Sequence, residues 1–99
     1  MSDRKLKWSD RSLQENRLLF DYLLEEWGKE IAISVREQID RAATRILNSP
    51  EHFQIFSKPK NICRCVLSPQ TSIFFKVGKD WIEILSIFDN RQNPHKLKL

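Results

Sequence analysis

Glycine and cysteine are both scarce in this chain, two of each in 99 residues, alongside four prolines and a single tyrosine. Two glycines cannot form a glycine-rich phosphate loop. The only cysteines, Cys63 and Cys65, are too few to staple a disulfide scaffold, so reduced thiols in a cytoplasmic domain are expected. No apolar run approaches the roughly 18 residues that a membrane-spanning helix needs. The polar opening Met1-Ser2-Asp3-Arg4-Lys5 has no apolar stretch behind it, unlike a secretory leader. Repeats and single-residue tracts are also missing, which argues against linkers and low complexity.

What remains is enough for one packed domain spanning residues 1–99. Forty per cent of the residues are apolar and ten per cent aromatic, which argues against disorder. The formal charge is +4, and it is unevenly placed. Residues 1–27 carry five bases and six acids, residues 28–49 four and three, and residues 50–99 eight and four. A polyanion or acidic partner should therefore meet the second half.

Arg4 to Trp8 reads as a short edge strand blunted by Lys5 and Lys7. Ser9-Asp10 offers an N-cap, and Ser12 with Glu15 has capping-box spacing. Leu13, Phe20, Leu23, Leu24 and Trp27 then recur at helical intervals, opposite Arg17, Asp21, Glu25 and Glu26, and Gly28 closes the helix. A second apolar stripe, Ala32, Val35, Ile39, Ala42, Ala43 and Ile46, ends at Asn48-Ser49-Pro50. The short link forces an antiparallel helical hairpin. The period then changes to two. Residues 62–67, 72–77 and 81–88 are β-branched and aromatic runs separated by turn signals, an antiparallel three-stranded meander. The last run is apolar on both faces and should be central or covered. The expected fold is α+β in the order β-α-α-β-β-β, an antiparallel sheet with the hairpin on one face.

Several residues have chemistry to offer. Arg64, mid-strand beside Ile62 and Val66, is expected either to pair with Glu83 or Asp89 or to offer a guanidinium to phosphate. Lys58 and Lys60 enter the first meander strand, while Arg91 and His95 follow the last. The start of the first meander strand and the end of the third are expected at the same end of the sheet, where Lys58, Lys60, Arg91 and His95 could converge, with Arg64 further along. Cations plus one imidazole are the minimum set for metal-free RNA cleavage, one moving protons and the others holding phosphorane charge. The plainer reading is a solvated basic surface. Cys63 and Cys65 share one strand face and read as core thiols, since only His52 and His95 remain to complete a zinc site. Trp8, Trp27 and Trp81 read as core anchors, and Tyr22 lies beside the first helix's apolar stripe.

Beyond this physical reading, the sequence resembles the RelE/ParE toxins of bacterial type II toxin–antitoxin systems. The resemblance runs in order through Lys7-Trp8-Ser9, Phe20-Asp21-Tyr22-Leu23, Trp27-Gly28, Asn48-Ser49-Pro50 and Arg64. It ends on Ile84-Leu85-Ser86-Ile87-Phe88-Asp89-Asn90-Arg91-Gln92-Asn93-Pro94, the strongest fragment and closer to the ParE branch. It implies a growth-inhibiting, plasmid-stabilising type of toxin held inactive by a cognate acidic antitoxin, with no cofactor and no metal. A ParE-like member binds DNA gyrase without catalysis. A RelE-like member is a ribosome-dependent mRNA endoribonuclease, for which Arg64, Arg91, His95, Lys58 and Lys60 would be the catalytic set. The C-terminal tyrosine common in that branch is missing here. A third alternative is a non-toxic nucleic-acid-binding module.

Overall fold

A computed structural model describes residues 3–99, so Met1 and Ser2 of the polar opening lie outside the described residues. The chain runs β1 (Lys5–Trp8), α1 (Asp10–Trp27), α2 (Lys29–Asn48), β2 (Gln54–Ser57), β3 (Ile62–Val66), β4 (Thr71–Val77) and β5 (Trp81–Asp89). Single 3-10 turns sit at Pro50–His52 and Pro94–Lys96. The order β-α-α followed by the β3–β4–β5 meander is the one expected. The sheet is larger and more mixed than expected, however. It has five strands in the order β1-β5-β4-β3-β2, and β1 lies parallel to β5.

The extra strand, β2, is only Gln-Ile-Phe-Ser, and it pairs antiparallel with β3 through an irregular step between Ile55 and Ser57. β5, an interior strand between β1 and β4, is apolar on both faces because of one bulge. Phe74 pairs with Ser86 and Phe75 with Ile84, so Leu85 has no opposite number. The slip lets Ile82, Ile84 and Ile87 face the helices while Leu85 and Phe88 face the other side.

The main core lies between α2 and the sheet. Ile39, Ala42 and Ile46 pack on Cys65, Ile73, Phe75, Ile82, Ile84 and Ile87, all nearly inaccessible, as the α2 stripe predicts. Each such isoleucine contributes about 1.5–3 kcal/mol relative to exposure. A second, smaller cluster of Ile62, Phe74 and Phe88 lies on the opposite face, covered by Phe56, Leu85 and the tail residues Leu97 and Leu99.

Helix α1 docks differently. β1 accompanies β5 only as far as Ile84, and the first turns of α1 then take over that edge. Ser9 N–H and the Ser12 hydroxyl donate to the Ile84 carbonyl, at 2.9 and 3.0 Å, and the Ser9 hydroxyl donates to the Leu85 carbonyl at 3.0 Å. The Glu15 carboxylate accepts from the Ser86 hydroxyl at 2.8 Å and the Ile87 N–H at 3.1 Å. The helix is capped by Ser9, whose hydroxyl accepts from Ser12 N–H. Glu15 thus serves the sheet, and the anticipated Ser12–Glu15 capping box does not form.

This polar docking overturns the reading of α1's apolar stripe. Leu13, Leu24 and Trp27 are 52, 43 and 67 % exposed, and Trp27 is no core anchor. Phe20 is half-buried beneath the Arg36 guanidinium, 4.6 Å from its ring centre. Trp81 does anchor the start of β5, with the Lys7 ammonium 4.5 Å over its ring and the Gly78 backbone pressed against it. Among the described residues no helix is long and apolar enough to cross a membrane.

Candidate functional site

Arg64 stands mid-strand on β3, on the sheet face away from the helices, opposite Phe74. Neither Glu83 nor Asp89 pairs with it. Its Nε donates to Ser72 Oγ at 3.0 Å, its Nη2 donates to Asn90 Oδ1 at 2.9 Å, and its guanidinium lies 5.5 Å from the Phe74 ring centre. Asn90 is fixed in turn, its amide nitrogen donating to the Ser68 and Pro69 carbonyls and its backbone N–H to the Gln70 carbonyl. Both side-chain acceptors on Arg64 are neutral. The guanidinium is therefore oriented without being neutralised, and its remaining N–H donors suit a carboxylate or phosphate.

Arg91, in the turn after β5, is engaged otherwise. Its side chain grips Asp89 in a fork, with Nη2 to Oδ2 at 2.7 Å and Nε to Oδ1 at 3.0 Å, while its backbone N–H also donates to Oδ1 at 2.9 Å. Those hydrogen bonds hold the Asp89 carboxyl below the usual carboxylate range and raise Arg91 further above its own. The pair is exposed on the Arg91 side, so it orders the turn more than it stabilises the fold.

His95 sits in the 3-10 turn at Pro94–Lys96, its backbone N–H held by Asn93 Oδ1 and its ring stacked on Phe56 of β2, centres 5.9 Å apart. Lys58 is exposed in the β2–β3 turn, and Lys60 Nζ donates to the Leu99 carbonyl at 3.1 Å. Arg11 likewise donates to the Lys98 carbonyl at 2.8 Å, so two cations strap the tail.

The expected meeting of Lys58, Lys60 and Arg91 does not occur, for a topological reason. In an up-down-up meander the start of the first strand and the end of the third lie at opposite ends. The register says so directly: Ile62 faces Lys76, which faces Glu83, whereas Val66 faces Ser72, which faces Phe88. Lys58 and Lys60 enter at the first end, and Arg91 follows the second. Only the returning tail carries His95 back to β2. Arg64 and Arg91 are linked through the consecutive residues Asn90 and Arg91, yet each is committed to its own partners. Ser72 and Asn90 were not singled out from the sequence; a polar residue immediately beyond a strand end was the only signal available for Asn90.

Cys65 is buried, and Cys63 is half-buried on the same helix-facing side. Burial pushes both thiols up; at Cys65 the positive charge of Arg45 opposes this without reversing it. Such thiols are poor nucleophiles.

No protein family matches the chain, and no curated protein resembles it in sequence. Solved structures do share its shape. The chromosomal ParDE toxin–antitoxin system of P. aeruginosa matches with a TM-score of 0.77 at 19% identity, over 88% of this chain and 96% of that one. The E. coli DinJ–YafQ toxin–antitoxin complex matches with 0.62 at 9% identity, over 90% and 94%. The YoeB dimer of Staphylococcus aureus matches with 0.60 at 10% identity, over 88% and 97%. This chain has the fold of the ParE, YafQ and YoeB toxins over nearly its whole length.

Proposed function

We propose that this chain is the toxin of a type II toxin–antitoxin system, acting in the cytoplasm by binding a protein target, DNA gyrase, rather than by cutting RNA. The observation that carries the choice is how Arg64, Arg91 and His95 are already engaged. Arg64 is tied to Ser72 and Asn90, Arg91 to Asp89, and His95 to the face of Phe56. Arg91 is thus already compensated by an acid, and the His95 ring lies against an aromatic face, whereas cleavage by general acid–base catalysis needs a free cation and a free imidazole at the scissile phosphate. The greater likeness to the ParDE structure than to YafQ or YoeB supports the same branch.

The partner that restrains the toxin is an acidic antitoxin segment. Charge supports this. The helical residues 10–48 hold six bases and eight acids, net −2, and the remaining residues hold eleven and five, net +6. A negatively charged segment is steered to the strand side, where Arg64 offers an oriented, uncompensated guanidinium.

The test is induction of the chain in a bacterium while DNA replication and protein synthesis are followed, with purified gyrase assayed in parallel. Replication stops first and supercoiling is inhibited if the proposal is right. Cleavage of mRNA on ribosomes, lost in Arg91→Ala and His95→Ala, would establish the endoribonuclease instead.

A further inference from the structure

The helical hairpin turns on one residue. Gly28 takes φ +91°, and a side chain built there would meet nothing within 4 Å, so the corner projects into open space. Within one helical turn on either side lie three large apolar side chains left in solvent: Leu24 at 43 %, Trp27 at 67 % and Ile31 at 47 % exposure. They lie outside the buried core, since α1 is held to the sheet by Ser12, Glu15 and the half-buried Leu19, and α2 by Ile39, Ala42 and Ile46. Around this knob stand Glu25, Glu26, Glu30 and one cation, Lys29, all exposed, giving the rim a net charge of −2.

We infer that the hairpin tip is the anchor by which this toxin engages its target, Trp27 and Leu24 entering an apolar pocket with a basic rim on the target protein. This rests on the reading of the chain as a protein-binding toxin. The chemistry selects the occupant. An indole on a projecting corner, with aliphatic neighbours and a charged surround, has the make-up of an interface hot spot. The acidic rim opposes an acidic antitoxin segment, which the net +6 of the strand side attracts instead. It equally opposes a second copy of the chain, because two tips brought together would set like charges face to face. A pocket with a basic rim remains the complementary surface.

The experiment uses the full-length chain with Trp27→Ala, Trp27→Phe and the double reversal Glu25→Lys/Glu26→Lys. Three quantities are read: the inducer level that arrests growth, the concentration that inhibits supercoiling by purified gyrase, and capture of the toxin by its antitoxin. Because Trp27 is exposed, Trp27→Ala keeps the thermal midpoint of the wild type, and the circular dichroism melt verifies this. The expected result is at least a tenfold loss in both potency readouts for Trp27→Ala, about the loss produced by truncating a hot spot. Trp27→Phe recovers part of it, the charge reversal also loses potency, and antitoxin capture is unchanged. Unaltered growth arrest by Trp27→Ala overturns the assignment. So does a loss confined to antitoxin capture, which makes the tip the antitoxin's site, or a loss of self-association in sedimentation, which makes it a dimer contact. Wild-type arrest without gyrase inhibition removes gyrase as the target, while the growth readout still judges the tip. A wild type that arrests nothing ends both readings.

Discussion

Replacing Glu15 with alanine should be costly, although Glu15 looks like an ordinary helix-surface acid. Its Oε1 accepts from the Ser86 hydroxyl at 2.8 Å and from the Ile87 N–H at 3.1 Å. Ser86 is inaccessible and Ile87 nearly so. Alanine strands both donors at the point where β5 has lost β1 as a neighbour. Hydrogen bonds to a charged acceptor contribute about 1.5–3 kcal/mol each, and a stranded buried donor costs about 1–3. Partial water access, with the Glu15 side chain 28% exposed, favours the low end. The expected loss is therefore about 2–4 kcal/mol. Arg11, 3.4 Å from the same carboxylate and exposed, adds little. For a domain of this size each kcal/mol moves the melting midpoint by about 4–8 °C, so the midpoint should fall by at least about 8 °C. Glu15→Gln, which keeps an acceptor, should lose less than half as much. A double-mutant cycle isolates the contact: in a Ser86→Ala background Glu15→Ala should cost about 1 kcal/mol less, because one stranded donor is gone. A Glu15→Ala protein melting within 2 °C of the wild type would refute the idea that this carboxylate closes the sheet edge.

Other expectations are narrower. Gly78→Ala should destabilise by about 1–3 kcal/mol in chemical denaturation, since a Cβ there collides with the Trp81 indole. Asp89→Asn removes a carboxyl whose folded pKa is lowered by Arg91, so the stability it contributes is present above the ordinary carboxylate range near 4 and is lost as pH falls through the lowered value. Melts at pH 7 and pH 3 should show a small deficit for the variant at pH 7 that closes on acidification; a gap that widens in acid would contradict the lowered value. With both thiols pushed up by burial, alkylation at pH 7.5 should be slower than for a free cysteine, with Cys63 modified before the inaccessible Cys65. Mass spectrometry of timed aliquots gives the order directly.

The elements that were legible in the sequence are those with a long apolar signal and clear ends. The α2 stripe at Ala32, Val35, Ile39, Ala42, Ala43 and Ile46 could face only one way, and β3 to β5 stood out as β-branched and aromatic runs with turn residues between them. α1 was misread because its apolar stripe is real but does not make its contact with the sheet. Ser12 and Glu15 do that together with Leu19, which lies off the expected stripe, and polar docking leaves no trace in hydrophobic periodicity. β2 escaped because four residues pairing through an irregular step carry less than two full periods. The same limit applied to the candidate site. Arg64 was identified, but its partners Ser72 and Asn90 lie 8 and 26 residues away and carry no charge, so a search for an acid pointed to Glu83 or Asp89. The supposed gathering of Lys58, Lys60 and Arg91 failed on strand direction alone, which the alternation of an up-down-up meander already dictates.

The division of labour on this molecule follows from how α1 is held. Had the stripe of Leu13, Leu24 and Trp27 been needed for the core, the hairpin would present only charge to solvent. Because Ser12, Glu15 and Leu19 do the docking, the apolar side chains of that stripe are left over, and they end at a corner that nothing else crowds. The charges divide in the same way, net −2 on residues 10–48 and net +6 on the rest. At physiological salt the screening length is about 8 Å, so a partner close to one face responds mainly to the charges on that face. A partner therefore feels whichever side it approaches, and the overall charge of +4 describes neither. An acidic chain is drawn to the strands and kept from the hairpin tip, while a basic-rimmed pocket experiences the reverse. The hairpin tip and the strand side thus carry opposite charge on one small domain, and Ser12, Glu15 and Leu19 hold α1 between them while leaving its exposed stripe free.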